Sequence, residues 1–347
     1  MSEIKDPVRV GLVGLRFGAG MTQMQVLNGG WGGKYIKIVA ACDLVKEKVE
    51  EFSAQYSLEA YTSMDEMLEN SDIEGVMLMT PPAGRAQLIR KCLDAGKHIF
   101  TTKPFELDPD AAAGVLQLAK ERNLIIHLNS PAPLPACDLA QIRAWQAKYD
   151  LGRAVAANWE TYASYNEVAN DSWLDSFDKC PAAPIFRIGI YGINELNAIF
   201  EEDVEDVEVV TGHIRTGRPT PDNAQLIIRY RSGAIGSIFA SLCIGDGTLY
   251  PSALKLHFEN GTIWKQQTRM LTDKAFTSVD MSLRAVIDGQ IVEESVSLPP
   301  EKRSGGYQFD NFYNAVRNGA AADEIAPEII VAGVKVISEM AKKEKRK

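Results

Sequence analysis

No apolar run in this sequence approaches the ~20 residues that a membrane span needs; the longest, Val8–Leu15 and Gly75–Met79, have the length of buried strands. A secretion signal is lacking too. Met1–Pro7 is polar and charged and leads straight into a strand, so a cytoplasmic protein with no membrane partner is expected. Cysteine is sparse: Cys42, Cys92, Cys137, Cys180 and Cys243 stand singly, with no Cys-x-x-Cys pair, which argues against a disulfide framework or a zinc knuckle. No metal site is expected. Positive charge is in deficit, at a net −9, so a phosphate backbone is repelled and nucleic acid is not an expected partner. The basic tail Lys342–Lys347 ends a helix, where cations suit the negative dipole end, and reads as a solvated terminus.

What is present is an ordinary globular composition, and 347 residues exceed one compact core and suit two domains. Up to Leu128, short apolar runs alternate with amphipathic stretches, the pattern of βαβ units on a parallel sheet. The strands read Val8–Val13, Ile36–Cys42, Gly75–Met79, His98–Thr101 and Leu124–Leu128. Helices read 45–56, 64–70, 85–95 and 109–122. This predicts an α/β Rossmann domain, a doubly wound parallel sheet, over residues 1–128. After Pro131–Pro135 and a helix near 138–149, period-two alternation takes over. Residues 129–347 are therefore expected to form an α+β domain with a large, mainly antiparallel open sheet. Its strands are placed at 154–161, 205–215, 224–231, 234–242, 254–258, 262–266, 283–288 and 290–297, with hairpin turns at Arg231–Ala234 and Glu259–Thr262. A closing helix over 327–342 could pack back on the Rossmann domain.

The first strand feeds Gly14-Leu-Arg-Phe-Gly-Ala-Gly20, a glycine-rich turn opening a helix. In the dinucleotide fingerprint the first glycine permits the tight turn, the second admits the pyrophosphate, and the third lets helix and strand pack closely. Gly14, Arg16 and Ala19 occupy those slots. Arg16 leaves two readings: it swings out and pairs with a phosphate, or the fingerprint has decayed and binds no nucleotide. Asp43, where the second strand ends, favours binding. Its carboxylate would hydrogen-bond ribose hydroxyls and repel a 2′-phosphate, which selects NAD over NADP, although Arg16 could accept that phosphate. Asp43 stands further from Gly14 than the usual ~20 residues, and the loop Asn28–Gly33 accounts for the excess. The same residue could equally cap the following helix.

Two later strand ends carry Met79-Thr-Pro-Pro82 and Ala95-Gly-Lys-His-Ile-Phe-Thr-Thr-Lys-Pro104, and a late helix reads Phe309-Asp-Asn-Phe-Tyr-Asn-Ala-Val-Arg-Asn-Gly319. With the Rossmann start, these resemble the glucose-fructose oxidoreductase/inositol dehydrogenase (Gfo/Idh/MocA) family over most of the chain. The resemblance implies hydride transfer between a nicotinamide cofactor and a secondary alcohol of a sugar, cyclitol or related polyol, by a homodimer or homotetramer. It implies a catalytic or positioning role for Lys103, whose amine could stabilise a developing alkoxide. Thr102 replaces the family's Glu. The family's Asp-x-Gly-x-His segment is matched by Pro184–Asn194, with Arg187 for the Asp and Tyr191 for the His.

Tyr191 can move the proton if a cation lies close, because positive charge lowers a phenol's pKa from about 10. The histidines, His98, His127, His213 and His257, all fall in expected strands and supply no base. Arg187 inverts the family's charge, so either the substrate carries an anionic group that its fork binds, or it pairs with Asp175 or Asp178. Trp173, in a polar loop, and Asn194 are further substrate contacts. Gly14, Arg16, Phe17, Gly18, Asp43, Thr80, Pro81, Thr102 and Lys103 are expected around the cofactor. The same residues would serve NAD-dependent glycoside cleavage. The departures at Arg16, Thr102, Arg187 and Tyr191 also fit a nucleotide-bound sensor without turnover.

Overall fold

The computed structural model describes residues 6–272, 276–300, 305–320 and 327–344; Met1–Lys5 and the last three residues of the basic tail lie outside the described residues. Its N-terminal part alternates strands and helices: β1 (Val8–Val13), α1 (Phe17–Thr22), β2 (Ile36–Cys42), α2 (Lys46–Tyr56), β3 (Glu59–Tyr61), α3 (Met64–Asn70), β4 (Gly75–Leu78), α4 (Arg85–Asp94), β5 (His98–Thr101), α5 (Pro109–Glu121) and β6 (Ile126–Leu128). The strands pair in parallel in the order β3-β2-β1-β4-β5-β6. β1 and β4 are buried almost throughout, as a sheet covered on both faces requires. The short edge strand β3 joins the five strands expected from the sequence. Strand order reverses between β1 and β4, which opens a crevice at the carboxyl ends of the strands.

The second sheet is built from β7 (Ala154–Tyr162), β8 (Val204–Gly212), β9 (Asn223–Tyr230), β10 (Ile235–Ser241), β11 (Ser252–Phe258), β12 (Gly261–Gln267), β13 (Val279–Ile287) and β14 (Gln290–Leu298), with α6 (Cys137–Lys148) before it. Their order is β14-β13-β12-β11-β7-β10-β9-β8, antiparallel except for β7 with β10. Between β7 and β8 a π-helical turn, Ile185–Gly189, runs into α7 (Ile190–Phe200), where every residue from Gly192 to Phe200 is buried. His213, expected in a strand, falls one residue beyond β8.

Two helices follow, α8 (Phe309–Asn318) and α9 (Glu328–Lys343). The compact units are residues 1–134 with 307–327, and 135–306 with 328–347. The first therefore takes back a late segment. Phe309 and Phe312 of α8 lie in one core with Val10, Leu12, Met77 and Phe100. The closing helix α9 packs on α7 and β8 of the second unit. That unit also buries a charge cluster: Lys265 donates to Asp138 at 2.8 Å and to Glu195, which accepts the Trp159 indole N–H at 3.0 Å. Burial pushes the Glu195 carboxyl above its ordinary range.

Candidate active site

In the first unit, four strand ends deliver polar groups to one edge of the parallel sheet. After β1 comes Gly14, with φ +91°. A Cβ there would stand 3.0 Å from the carbonyl carbon and oxygen of Met79, so only glycine lets this turn close against the chain leaving β4. After β2 comes Asp43, whose carboxylate accepts the Leu15 amide at 2.8 Å and the Val45 amide at 3.1 Å. It thus ties the glycine turn to β2, and the N-cap of α2 is Val45 rather than Asp43. Arg16 and Phe17 point into solvent past the turn. The close helix-to-strand approach assigned to Ala19 belongs to Gly18, where a Cβ would lie 2.9 Å from that of Met79.

After β4 comes Thr80, whose hydroxyl oxygen is buried with no hydrogen-bond partner among the described residues, then exposed Pro81 and buried Pro82. After β5 come buried Thr102 and half-buried Lys103. The Thr102 hydroxyl lies 3.4 Å from Asn129 Oδ1, and the Lys103 amide donates to that oxygen at 2.9 Å. A close-approach glycine, a carboxylate at the next strand end and an orphaned hydroxyl on the same edge fit a dinucleotide. Gly14, Gly18, Asp43 and Thr80 would hold it. Sequence reasoning missed Arg85, which is 1% exposed. Burial pulls its guanidinium down to about 10, so it stays cationic at neutral pH.

In the second unit, Arg187 and Tyr191 stand four residues apart, one in the π-helical turn and one in the first turn of α7. Arg187 is bidentate to Glu167, 2.8 Å at each oxygen, and lies 4.7 Å over the Tyr165 ring. The expected partners Asp175 and Asp178 are not the acid that fills its fork. Asp175 instead takes Arg218 at 2.6 Å, and Arg218 also reaches Glu167 at 2.8 Å. Burial alone would raise the Glu167 carboxyl; the hydrogen bonds and charges of the two arginines outweigh it and hold the group below its ordinary range. Nothing in the sequence marks this network except the surplus of charge in an aromatic stretch.

Tyr191 is half-buried, and its ring abuts Gly305, where a Cβ would stand 2.6 Å from Cε1. Trp173 sits in a short 3₁₀ turn, edge-on to Phe186 at 6.3 Å. Asn194, expected at the substrate, is 5% exposed, and its amide oxygen fills the space beside Gly333 of α9, so helix packing occupies it.

Residues 8–130 match the family profile described as "Oxidoreductase family, NAD-binding Rossmann fold", and residues 139–264 match the "GFO/IDH/MocA C-terminal domain". A galactose 1-dehydrogenase of Pseudomonas fluorescens is 33% identical over 216 residues, 61% of this chain and 62% of that enzyme. A dTDP-3,4-didehydro-2,6-dideoxy-alpha-D-glucose 3-reductase of Saccharopolyspora spinosa is 29% identical over 126 residues, 36% of this chain and 37% of the reductase's length. The crystal structure of GenD2 from gentamicin A biosynthesis, in complex with NAD, superposes with a TM-score of 0.74 at 17% identity, covering 99% of this chain and 95% of that one. Among the described residues, no helix is long and apolar enough to cross a membrane. With both of its domains matched over more than half of its length, the chain belongs to the Gfo/Idh/MocA family of NAD(P)-dependent oxidoreductases.

Proposed function

We propose that this protein is a dehydrogenase of neutral polyhydroxyl substrates, acting on a secondary alcohol of a sugar, cyclitol or related polyol with NAD in preference to NADP. The observation that carries the reading is the convergence of the Gly14 turn, the Asp43 carboxylate, the Thr80 hydroxyl and Lys103 on the carboxyl edge of one parallel sheet. Ligands bind at that edge in doubly wound folds. Asp43 favours NAD because a 2′-phosphate beside a carboxylate is repelled.

The nicotinamide, when bound, supplies the two-electron acceptor. Lys103 donates a hydrogen bond to the substrate oxygen and offsets the negative charge that develops there. Tyr191 keeps the proton-moving role that the family resemblance implies for its position. Arg187 does not select a substrate carboxylate, because its fork is already filled by Glu167; the paired charges favour a neutral substrate. A homodimer or homotetramer is part of the same reading.

The test mixes pure protein with NAD or NADP and a panel of D-galactose, D-glucose, myo-inositol and D-glucuronate, following the absorbance of reduced cofactor. Turnover of a neutral member, reduced about 10²-fold or more in Lys103→Ala and in Tyr191→Phe with dinucleotide affinity kept, supports the reading. Near-normal turnover in Lys103→Ala overturns the site. Dinucleotide binding without turnover across the panel favours a sensor.

A further inference from the structure

The loop that carries Lys103 is held by one buried arginine. Arg85 opens α4, and its guanidinium donates to the carbonyl oxygens of Thr80, Thr102 and Pro104, and at 3.3 Å to that of Phe105. These carbonyls lie just past the ends of β4 and β5, where the chain turns and the sheet no longer supplies donors. A planar fork of five N–H groups can serve several acceptors at fixed angles, which a lysine ammonium cannot. Glu106, 2% exposed, lies near enough to offset the cation. Its carboxylate accepts the amides of Gly84 at 3.2 Å, Ala86 at 2.7 Å and Leu107 at 2.7 Å, so it joins the start of α4 to the same loop.

Two of the four carbonyls belong to Thr102 and Pro104, the residues on either side of Lys103, and the Lys103 amide is held by Asn129. The backbone around the amine is thus fixed from both sides. We propose that Arg85 is a positioning residue of the reaction: it locks the Lys103 backbone to the Thr80 loop and so fixes where the Lys103 amine meets the substrate oxygen. The inference rests on the role given to Lys103 above.

The experiment compares wild type, Arg85→Lys, Lys103→Ala and the double variant. Turnover is read with the panel above, dinucleotide affinity by calorimetry. The rate at which trinitrobenzenesulfonate modifies Lys103, with and without NADH, is read by mass spectrometry. Arg85→Lys is expected to lower kcat on the order of 10²-fold, the penalty of a displaced catalytic group, and to weaken dinucleotide binding by a much smaller factor, because the Thr80 loop is one of several parts that hold it. It should also change the labelling rate of Lys103 and the protection NADH gives it. In the Lys103→Ala background the same change should cost less than about threefold, because residues acting as a unit are not additive. Equal losses in both backgrounds, with unchanged labelling, assign Arg85 a structural role and overturn the proposal while leaving Lys103 in place. Full turnover in Lys103→Ala overturns the role of Lys103 and the proposal with it. Should Arg85→Lys fail to fold, Arg85→Gln repeats the comparison, and loss of the fold in both overturns the positioning role.

Discussion

Glu167→Gln tests the electrostatics of the second unit. Glu167 accepts two hydrogen bonds from Arg187 and one from Arg218, all at 2.8 Å, and Arg218 also pairs with Asp175. Glutamine keeps the shape, loses the charge, and turns an N–H₂ toward donors, so both arginines lose a carboxylate partner. Removing one partner of a fully buried pair costs roughly 3–5 kcal/mol. The Glu167 side chain is 25% exposed against 14% and 6% for the arginines, so solvent screens part of the loss. About 2–3 kcal/mol is expected, which lowers the melting temperature by roughly 5–10 °C in a unit of this size. Because the folded-state pKa of Glu167 is depressed, its contribution is present above the ordinary carboxylate range and is lost as pH falls through the lower folded value. The gap between wild type and Glu167→Gln in a thermal melt followed by circular dichroism should therefore be full at pH 7 and shrink in acid. The freed Arg187 fork should also let D-glucuronate raise the variant's melting temperature and not that of wild type. Equal melting at neutral pH, or a gap that persists in acid, refutes the reasoning.

Gly14→Ala should cost about 2–4 kcal/mol, from a positive φ and a Cβ 3.0 Å from the Met79 carbonyl. NADH affinity should fall at least tenfold on the order of 1.4 kcal/mol, and calorimetry with full NADH affinity would contradict this. His127 is fully buried, stacked on Phe100 at 4.9 Å, and burial pulls its imidazole from 6.5 to about 3. The unfolded chain takes up a proton that the folded one refuses, so stability is full above pH 6.5 and falls by about 1.4 kcal/mol per pH unit below it. His127→Phe should flatten that slope in urea titrations, and an unchanged slope would count against it.

The parts legible in the sequence were those whose physics is local. β1 and the Gly14 turn, the β2 end at Asp43, and the hairpin turn that joins β9 to β10 follow from short apolar runs punctuated by glycine. β3 escaped because three partly exposed residues at a sheet edge carry no periodicity. α7 escaped as a helix because it is buried on nearly every side, Tyr191 apart, and its sequence is apolar almost throughout. The Arg187–Glu167 pair spans 20 positions, and from sequence an acid that far away cannot be told from Asp175 or Asp178. Arg85 reads as an ordinary solvated cation at the start of a surface helix; only the carbonyls gathered around it reveal its role. Likewise Phe309 and Phe312 follow the second sheet in sequence, yet their apolar rings belong to the first unit's core.

The chemistry proposed for this protein requires that the turn after β1, with Arg16 beside it, hold a nicotinamide dinucleotide. Calorimetric titration of the pure, folded protein tests it most directly. One NADH should be taken up per chain, at least tenfold tighter than NADPH, with a weaker complex in Asp43→Ala. Absence of heat with either dinucleotide, from protein that melts cooperatively, would contradict it.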